Sequence, residues 1–489
     1  MKALAFILLI LALSGCASKP VPVDEGFSSV AKVVVGDLAP TQQAYIDALN
    51  GYREDPAYAC RHPLYAIYFK KQGIPGRGEL PCAENVPFVI QTPDEGAKVV
   101  WVNPARVRSV HLLFASKSPS LASRFGHVAL RLVVCPESDS SAQACDANLA
   151  EHLVLSFQAH IDDYTLDTLK ALRGDYQAHL FASRFMDTYE QYAIGEFREV
   201  YSLPLRIEPE HRAVLVRDLA DVHWRFSGNY NFFTRNCATL LQDTLRVAWP
   251  DFANDELMKQ RYLRPDEMFA ALRASPLADG AAVASQTSAE RDGYYFSSTR
   301  PFYQQALQHV RQRTRDPEFY SLEDYIGLLP IKRREVMASP VYVKALADNP
   351  RTLEAQLMLE EYAVLHSERV LMGQAAQYLD AQDFLGRSQS LRARLDEKQM
   401  EVFDKCLLQP LRQRSQPPRR LTGIPSTNDE FSDIAGASKL CTSEQSRKLL
   451  VDTIAAIEDK NSLQWQQLNR LARYRADSIE NIVFLKQIR

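Results

Sequence analysis

Residues 229–237 constrain the fold of this chain more than any other stretch. An aromatic, turn-prone segment runs into a cysteine, and apolar residues then recur at helical spacing as far as residue 248. The pattern predicts a helix that begins at Cys237, with Asn236 as its N-cap. A thiol in the first turn faces the positive end of the helix dipole, which lowers its pKa and favours the nucleophilic thiolate. The alternatives are a small buried side chain or one half of a disulfide.

The N-terminus is typical of an export signal. Lys2 precedes an apolar run over residues 3–13, and Leu-Ser-Gly-Cys at 13–16 resembles the lipobox of bacterial lipoproteins. We therefore predict cleavage before Cys16 and lipidation of its thiol, with an ordinary signal peptide as the alternative. Ala17 and Ser18 follow the cysteine, which by resemblance to the known sorting signal favours a periplasm-facing anchor in the outer membrane of a Gram-negative cell.

Export places the remaining cysteines in an oxidising compartment, where disulfides form and persist. Proximity in sequence predicts three bridges, although other connectivities are open: Cys60–Cys82, Cys135–Cys145 and Cys406–Cys441. Cys237 is then left unpaired. An unpaired cysteine in an exported protein needs a reason, and this favours a functional thiol.

Composition and motifs exclude several classes of protein. The net charge of −3 and the pI near 6.4 argue against nucleic acid as a partner. After the N-terminus no apolar stretch is long enough to span a bilayer. The sequence contains no HExxH, CxxC, P-loop or GxSxG motif, so we expect neither a metal nor a cofactor.

The chain of 489 residues is long enough for two or three domains, and its pattern predicts an α+β protein. Strand-like alternation occurs at 99–102, 107–114, 127–134, 153–160, 176–185 and 198–205, and long helical patterns dominate after residue 250. The predicted segments are a signal peptide with lipobox (1–16), a tether (17–40), a small helical subdomain (41–94), a His–Cys domain (95–250), a helical domain (251–412), a linker (413–437) and a C-terminal helical pair (438–489).

A second informative stretch begins where Gly126 and His127 open a strand. His127 lies on the face opposite the aliphatic row, where it is a candidate base for Cys237. The backbone N–H of Cys237 is a candidate oxyanion donor. A third polar group should orient the imidazole, and the residues do not choose among three candidates on the next strand: Ser156, Gln158 and His160. The alternative is a purely structural histidine.

The motifs Phe-Gly-His-Val-Ala-Leu-Arg at 125–131 and Tyr-Asn-Phe-Phe-Thr-Arg-Asn-Cys-Ala-Thr at 230–239 resemble those of the Lnb N-terminal periplasmic domain family. The resemblance covers about residues 95–250. That family is similar to circularly permuted NlpC-type, papain-like thiol enzymes, in which the histidine strand precedes the cysteine helix. The resemblance implies a papain-like core, built from an antiparallel sheet and a nucleophile helix, followed by a mainly α-helical C-terminal region.

The family's named member N-acylates bacterial lipoproteins. The resemblance therefore implies an acyl-thioester at Cys237, and the candidate neighbours of the substrate and the oxyanion are Gly126, Tyr230, Asn231 and Asn236. This chain departs from that member because no bundle of transmembrane helices follows the domain, which leaves the substrate open.

We expect a lipid-anchored thiol acyltransferase or hydrolase that acts on acyl groups of lipoproteins or phospholipids. One alternative is an amidase or endopeptidase of peptidoglycan stem peptides. Another is a non-catalytic envelope scaffold whose helical region binds a partner protein.

Overall fold

The computed structural model describes residues 42–78, 80–92, 96–118, 124–160, 173–226, 228–314, 320–381, 395–404, 423–427 and 463–488. The predicted signal peptide with Cys16, the tether, and the cysteines Cys406 and Cys441 lie outside these residues. So do most of the predicted linker and the first helix of the predicted C-terminal pair. Within the described residues, none of the helices combines the length and the apolar character that crossing a membrane requires.

One mixed sheet of nine strands forms the centre of the protein. Its strands are β1 Val86–Thr92, β2 Gly96–Val102, β3 Val107–Ala115, β4 His127–Val134, β5 Leu153–His160, β6 Tyr176–Arg184, β7 Val200–Pro204, β8 Gly228–Tyr230 and β9 Tyr295–Phe296. The order across the sheet is β2-β1-β6-β5-β4-β3-β7-β9, and β8 pairs with β6. All six predicted strands are present, while β1, β8 and β9 were not predicted.

One strand pairing contradicts the prediction of an antiparallel sheet. β1 runs parallel to β6, with Ile90 opposite Ala182, whereas the other pairings are antiparallel. Parallel strands need a long crossover rather than a hairpin. Along the chain, β2–β5 separate β1 from β6, so no local turn fixes the relative direction of these two strands. The sequence therefore contained no signal for a parallel pairing. The α+β class is nevertheless confirmed.

Helices pack against the sheet and form the C-terminal part of the chain. Their bounds are α1 Gln42–Glu54, α2 Tyr58–Arg61, α3 Pro63–Lys71, α4 Ala142–Ala147, α5 Phe185–Tyr189, α6 Pro209–Arg225, α7 Cys237–Ala248, α8 Pro250–Asn254, α9 Pro265–Ala274, α10 Gln286–Arg291, α11 Arg300–Thr314, α12 Leu322–Gly327, α13 Pro330–Met337, α14 Pro340–Ala347, α15 Pro350–Ala381, α16 Glu397–Phe403 and α17 Leu463–Gln487. Short 3₁₀ turns span Pro104–Arg106 and Gly280–Val283, and a π-helical turn spans Glu190–Gly195. The helical pattern over 335–346 is divided between α13 and α14, because Pro340 cannot continue a helix and instead starts α14.

The alternation of β4 divides the core into two layers. Val128, Leu130 and Leu132 pack with α6 and α7 in the main core, whereas Ala129 faces a smaller cluster on the other side of the sheet. The main core also takes in residues of α1–α3 and continues to Val283, so it crosses the predicted boundaries at 94 and 250. The predicted disulfides Cys60–Cys82 and Cys135–Cys145 are confirmed.

A second core lies among α11–α15 and α17, which we call the C-terminal helical module. Its centre is polar. Arg333 and Glu360 form a buried ion pair with an Nε–Oε1 distance of 2.8 Å, and Ser478 and Asn481 of α17 hydrogen-bond this pair. A buried ion pair stripped of one partner is strongly destabilising, so this network fixes α13, α15 and α17 in one arrangement.

Gly126 ends the connection from β3 to β4 and sets the start of the histidine strand. Its φ is +88°, and an added Cβ would overlap the Phe114 ring and lie 2.7 Å from the Ala115 carbonyl oxygen. We expect Gly126→Ala to lower the free energy of unfolding by about 2–4 kcal/mol, because backbone strain and a steric clash add together. Gly293→Ala is the matched control, since Gly293 also has a positive φ of +77° but has open space around its Cα.

The control should lose only about 1–2 kcal/mol, the strain alone. Urea denaturation of the full chain measures both variants. Equal losses of unfolding free energy in the two variants would show that the close approach of Phe114 and Ala115 to Gly126 does not contribute to stability.

Candidate active site

Cys237 is the first residue of α7, as predicted, and Asn236 caps the helix. The Asn236 Oδ1 accepts hydrogen bonds from the backbone N–H of Ala238 at 3.0 Å and of Thr239 at 3.3 Å. The Thr239 hydroxyl accepts from the Asn236 N–H at 2.9 Å, which completes a capping box. The Asn236 amide nitrogen donates to the carbonyls of Phe232 and Leu263. Asn236 therefore fixes the helix start and both flanking loops.

The Cys237 thiol is buried, with 3% of the residue exposed, and it is the free cysteine among the described residues. Burial raises the pKa of the thiol to about 11, although backbone N–H groups of Val128 and Ala238 directed at the sulfur act to lower it. The expected lowering of the Cys237 pKa is therefore wrong. The free-energy cost of removing the thiolate from water exceeds the stabilisation that the backbone N–H groups of the helix start provide. The resting thiol is therefore protonated at neutral pH.

His127 opens β4 immediately before Val128, whose N–H meets the sulfur. Its Nε2 lies 2.5 Å from the Ser156 hydroxyl of β5. Burial lowers the pKa of His127 to about 3, and the nearby Arg198 guanidinium acts in the same direction. The imidazole is consequently neutral at physiological pH. In the tautomer whose Nε2–H donates to the Ser156 hydroxyl, Nδ1 keeps a lone pair that can accept a proton.

Of the three candidates for the orienting group, the structure brings Ser156 to His127. Gln158 is exposed on the same strand. His160 lies four residues beyond Ser156, roughly 13 Å along an extended strand, and its ring contacts that of His179 at a centroid distance of 5.4 Å. Neither Gln158 nor His160 is placed beside the imidazole as Ser156 is.

Two tyrosines flank the thiol. The phenol of Tyr230 hydrogen-bonds both the side chain and the backbone N–H of Cys237. The ring of Tyr192 lies 6.0 Å from that of His127, and its phenol interacts electrostatically with Cys237. Burial raises the pKa of both phenols, so they stay protonated. Tyr230 was among the predicted neighbours of the substrate, whereas Tyr192 was not.

Arg198 adds a buried positive charge, with 2% of its surface exposed. Its guanidinium lies over the Tyr192 ring at 4.7 Å and acts on the charges of both His127 and Cys237. Neither Tyr192 nor Arg198 was predicted, because Tyr192 lies within a π-helical turn, Arg198 follows that turn, and neither residue belongs to a recognisable motif. A π-helical turn often marks a functional site, but it is not visible in sequence. We call Cys237, His127, Ser156, Tyr192, Arg198 and Tyr230 the thiol cluster.

Two other predicted neighbours of the substrate have structural tasks. Asn231 holds the turn before the cysteine, because its Oδ1 accepts from the N–H of Phe233 at 2.8 Å and of Thr234 at 3.2 Å. Gly126 is buried and allows the close approach of β3 described above. Both residues shape the loops on either side of the thiol cluster.

The arrangement offers groups that nucleophilic chemistry by sulfur uses. Backbone N–H groups are directed at a buried thiol, and a buried, neutral imidazole begins the strand that supplies one of them. In the described part of the chain, no group of three or more His, Cys, Asp or Glu side chains is placed to hold a metal ion.

Comparison with known proteins agrees with the histidine and cysteine motifs. No curated protein and no solved structure matches the chain significantly. Residues 100–269 match the model of the Lnb N-terminal periplasmic domain, a range that contains both motifs and β3–β8. The match fits a domain that faces the periplasm. The similarity of this protein to the Lnb N-terminal periplasmic domain is therefore limited to residues 100–269.

Proposed function

We propose that the domain is a cysteine-dependent acyltransferase or hydrolase that works through an acyl-thioester at Cys237. One observation carries the proposal: a free, buried thiol at a helix start, touched by backbone N–H groups, lies beside the peptide that joins His127 to Val128. The four other cysteines of the described residues are in disulfides. Two phenols and a guanidinium also act on this thiol.

The acylation step uses these groups in order. The Cys237 sulfur attacks an ester carbonyl while its proton passes to the imidazole of His127, and the carbonyl oxygen becomes an oxyanion. Backbone N–H groups and the Tyr230 hydroxyl are the donors available to the oxyanion. When the carbon–oxygen ester bond breaks, the leaving alcohol takes the proton from the imidazolium. The product is a thioester and a free alcohol.

Deacylation reverses these roles. An amine or water attacks the thioester, His127 accepts the proton of the attacking group, and the proton returns to sulfur as the carbon–sulfur bond breaks. An amine acceptor gives an amide, and water gives a free acid. In both steps the Ser156 hydroxyl holds the imidazole by its Nε2, which leaves Nδ1 to exchange protons with the thiol.

The substrate and the location form a finer part of the proposal. We infer that the ester is an acyl chain of a phospholipid or lipoprotein, since the family is periplasmic and the N-terminus carries the pattern of a lipobox at Cys16. A lipidated Cys16 would hold the domain at a membrane surface, where acyl donors are concentrated. The sorting residues after Cys16 favour the outer membrane.

Replacing either reacting group should abolish the reaction. We expect Cys237→Ala to stop formation of the covalent acyl-enzyme and His127→Ala to slow it by about a thousandfold or more, since members of one catalytic unit act together. The measurement is covalent labelling of the full chain by an acyl-ester probe, with hydroxylamine release to identify a thioester. Labelling of both variants at the wild-type rate would contradict the proposal.

The role of Ser156 can be separated from its structural effect. Ser156→Ala should slow acyl labelling about tenfold or more, because the imidazole loses the group that selects its tautomer. Ser183→Ala is the matched control, since Ser183 lies on the neighbouring strand and its hydroxyl bonds Thr188 at 2.9 Å instead. Equal rates in the two variants would remove Ser156 from the proposed site.

The pKa of Cys237 predicts how the resting thiol responds to pH. Since burial raises that pKa to about 11, the thiolate fraction should grow about tenfold per pH unit between pH 7 and 10. Alkylation of Cys237 by iodoacetamide, followed by mass spectrometry of its peptide, should show this rise. A plateau below pH 8 would instead indicate a preformed thiolate–imidazolium pair.

A further inference from the structure

A short segment, residues 195–198, joins the thiol cluster to the C-terminal helical module. Its central residue, Phe197, has a φ of +56° and is the one non-glycine residue with a positive φ among those that the structure describes. A bulky residue in this conformation is strained, of order 1–3 kcal/mol, and persists only where its surroundings hold it. Such strain clusters at functional sites.

The C-terminal helical module supplies the surroundings of Phe197. Its ring lies 5.3 Å from the ring of Tyr362 on α15 and 5.9 Å from that of Tyr303 on α11. The two tyrosines stack on each other at 4.9 Å, and the guanidinium of Arg300 lies 5.8 Å from the Phe197 ring. Phe197 is thus an aromatic anchor inserted from the sheet domain into the module.

The next residue, Arg198, points into the thiol cluster. Its guanidinium donates to the carbonyl oxygens of Ser116 at 2.5 Å and Ala115 at 2.8 Å, and to the Glu196 carboxylate at 2.9 Å. Ala115 is the register partner of His127 across β3 and β4. The guanidinium is therefore tied to the backbone directly opposite the histidine, at the end of the sheet that carries the thiol.

We propose that Arg198 is a positioning residue of the thiol site and that the C-terminal helical module sets its place through Phe197. The inference rests on the proposed function for the reaction that the site performs. The Arg198 charge attracts negative charge as it develops on the Cys237 sulfur, and it disfavours protonation of His127 before the thiol gives up its proton. The module thereby acts on the site from outside it, and this gives a task to a part of the chain that lies beyond the family match.

The pH dependence of Cys237 alkylation measures this effect without a substrate. The titratable groups that act on the thiol are Tyr192, Tyr230 and Arg198. His127 begins the adjacent strand, and Glu196 pairs with Arg198. Arg198→Gln should slow alkylation about two- to tenfold between pH 8 and 10, because loss of the positive charge lowers the thiolate fraction. Arg198→Lys, which keeps the charge, should recover part of the rate.

The coupling to the module is tested by Phe197→Ala and Tyr362→Ala. Both should move the alkylation profile in the same direction as Arg198→Gln, although Tyr362 belongs to the module. Phe484→Ala is the matched control, because Phe484 packs against the same core but its ring lies against Arg334, at 3.6 Å from the guanidinium carbon. This control should keep the wild-type profile, and Cys237→Ala gives the background from other cysteines.

Two results would overturn the proposal. One is a wild-type profile in folded Phe197→Ala and Tyr362→Ala variants, and the other is an equal shift in Phe484→Ala. If Phe197→Ala does not fold, as judged by circular dichroism, Tyr362→Ala and Phe197→Leu decide the question. The expected shifts in the alkylation profiles of Phe197→Ala and Tyr362→Ala, together with no acyl labelling of the wild-type chain, would reject the proposed reaction and keep the positioning role of Arg198.

Discussion

The contact between the first turn of α7 and the first residues of β4 governs the rest of this structure. It places the Cys237 sulfur against the N–H of Val128, and so next to the peptide of His127. The contact depends on the apolar stripe of α7, because Leu240, Leu241 and Leu245 bury the helix in the main core. In the sheet β5 and β3 flank β4, and β7 follows β3. This order brings Ser156 beside His127 and ties Arg198 to the backbone of Ala115, opposite His127.

Two physical effects compete at the thiol, and their magnitudes decide its resting state. A helix N-terminus stabilises a nearby negative charge by about 0.3–1 kcal/mol, and by up to about 2 kcal/mol in partly buried geometries. Burial in a low-dielectric interior shifts a pKa by as much as 3–5 units, several kcal/mol, in the opposite direction. For Cys237 burial prevails, and the pKa rises to about 11. A helix start alone is therefore poor evidence for a thiolate.

The sequence predicted those parts of the fold and site that local chemistry determines. The bounds of α7 follow from the Asn236 cap and the apolar spacing, and those of β4 follow from strict alternation. Two disulfides followed from proximity and export. By contrast, Arg198 reaches His127 only through the pairing of β7 with β3, a contact between residues far apart in sequence. Such long-range contacts leave no periodic signal.

The same limit applies to the choice of Ser156 over Gln158 and His160. All three share one face of β5, and period-two alternation cannot rank them. The register of β5 against β4, in which Leu130 lies opposite Leu155, places His160 beyond the start of β4. The choice of Ser156 over Gln158 rests on the side-chain contact between Ser156 and His127. Register is fixed by the burial of a whole strand face. It is a property of two paired strands, so the pattern of one strand does not predict it.

Burial also bears on whether the proposed thioester would be hydrolysed or transferred. The thiol and both flanking phenols are almost fully buried, so a thioester formed at Cys237 would be shielded from bulk water. Its lifetime would then depend on the arrival of an acceptor that displaces the alcohol product from the same space. An amine on a second substrate satisfies this requirement better than water does, because it is carried into the site by the binding energy of the molecule to which it belongs. If the proposed thioester forms, the burial of Cys237 thus works against its hydrolysis by bulk water.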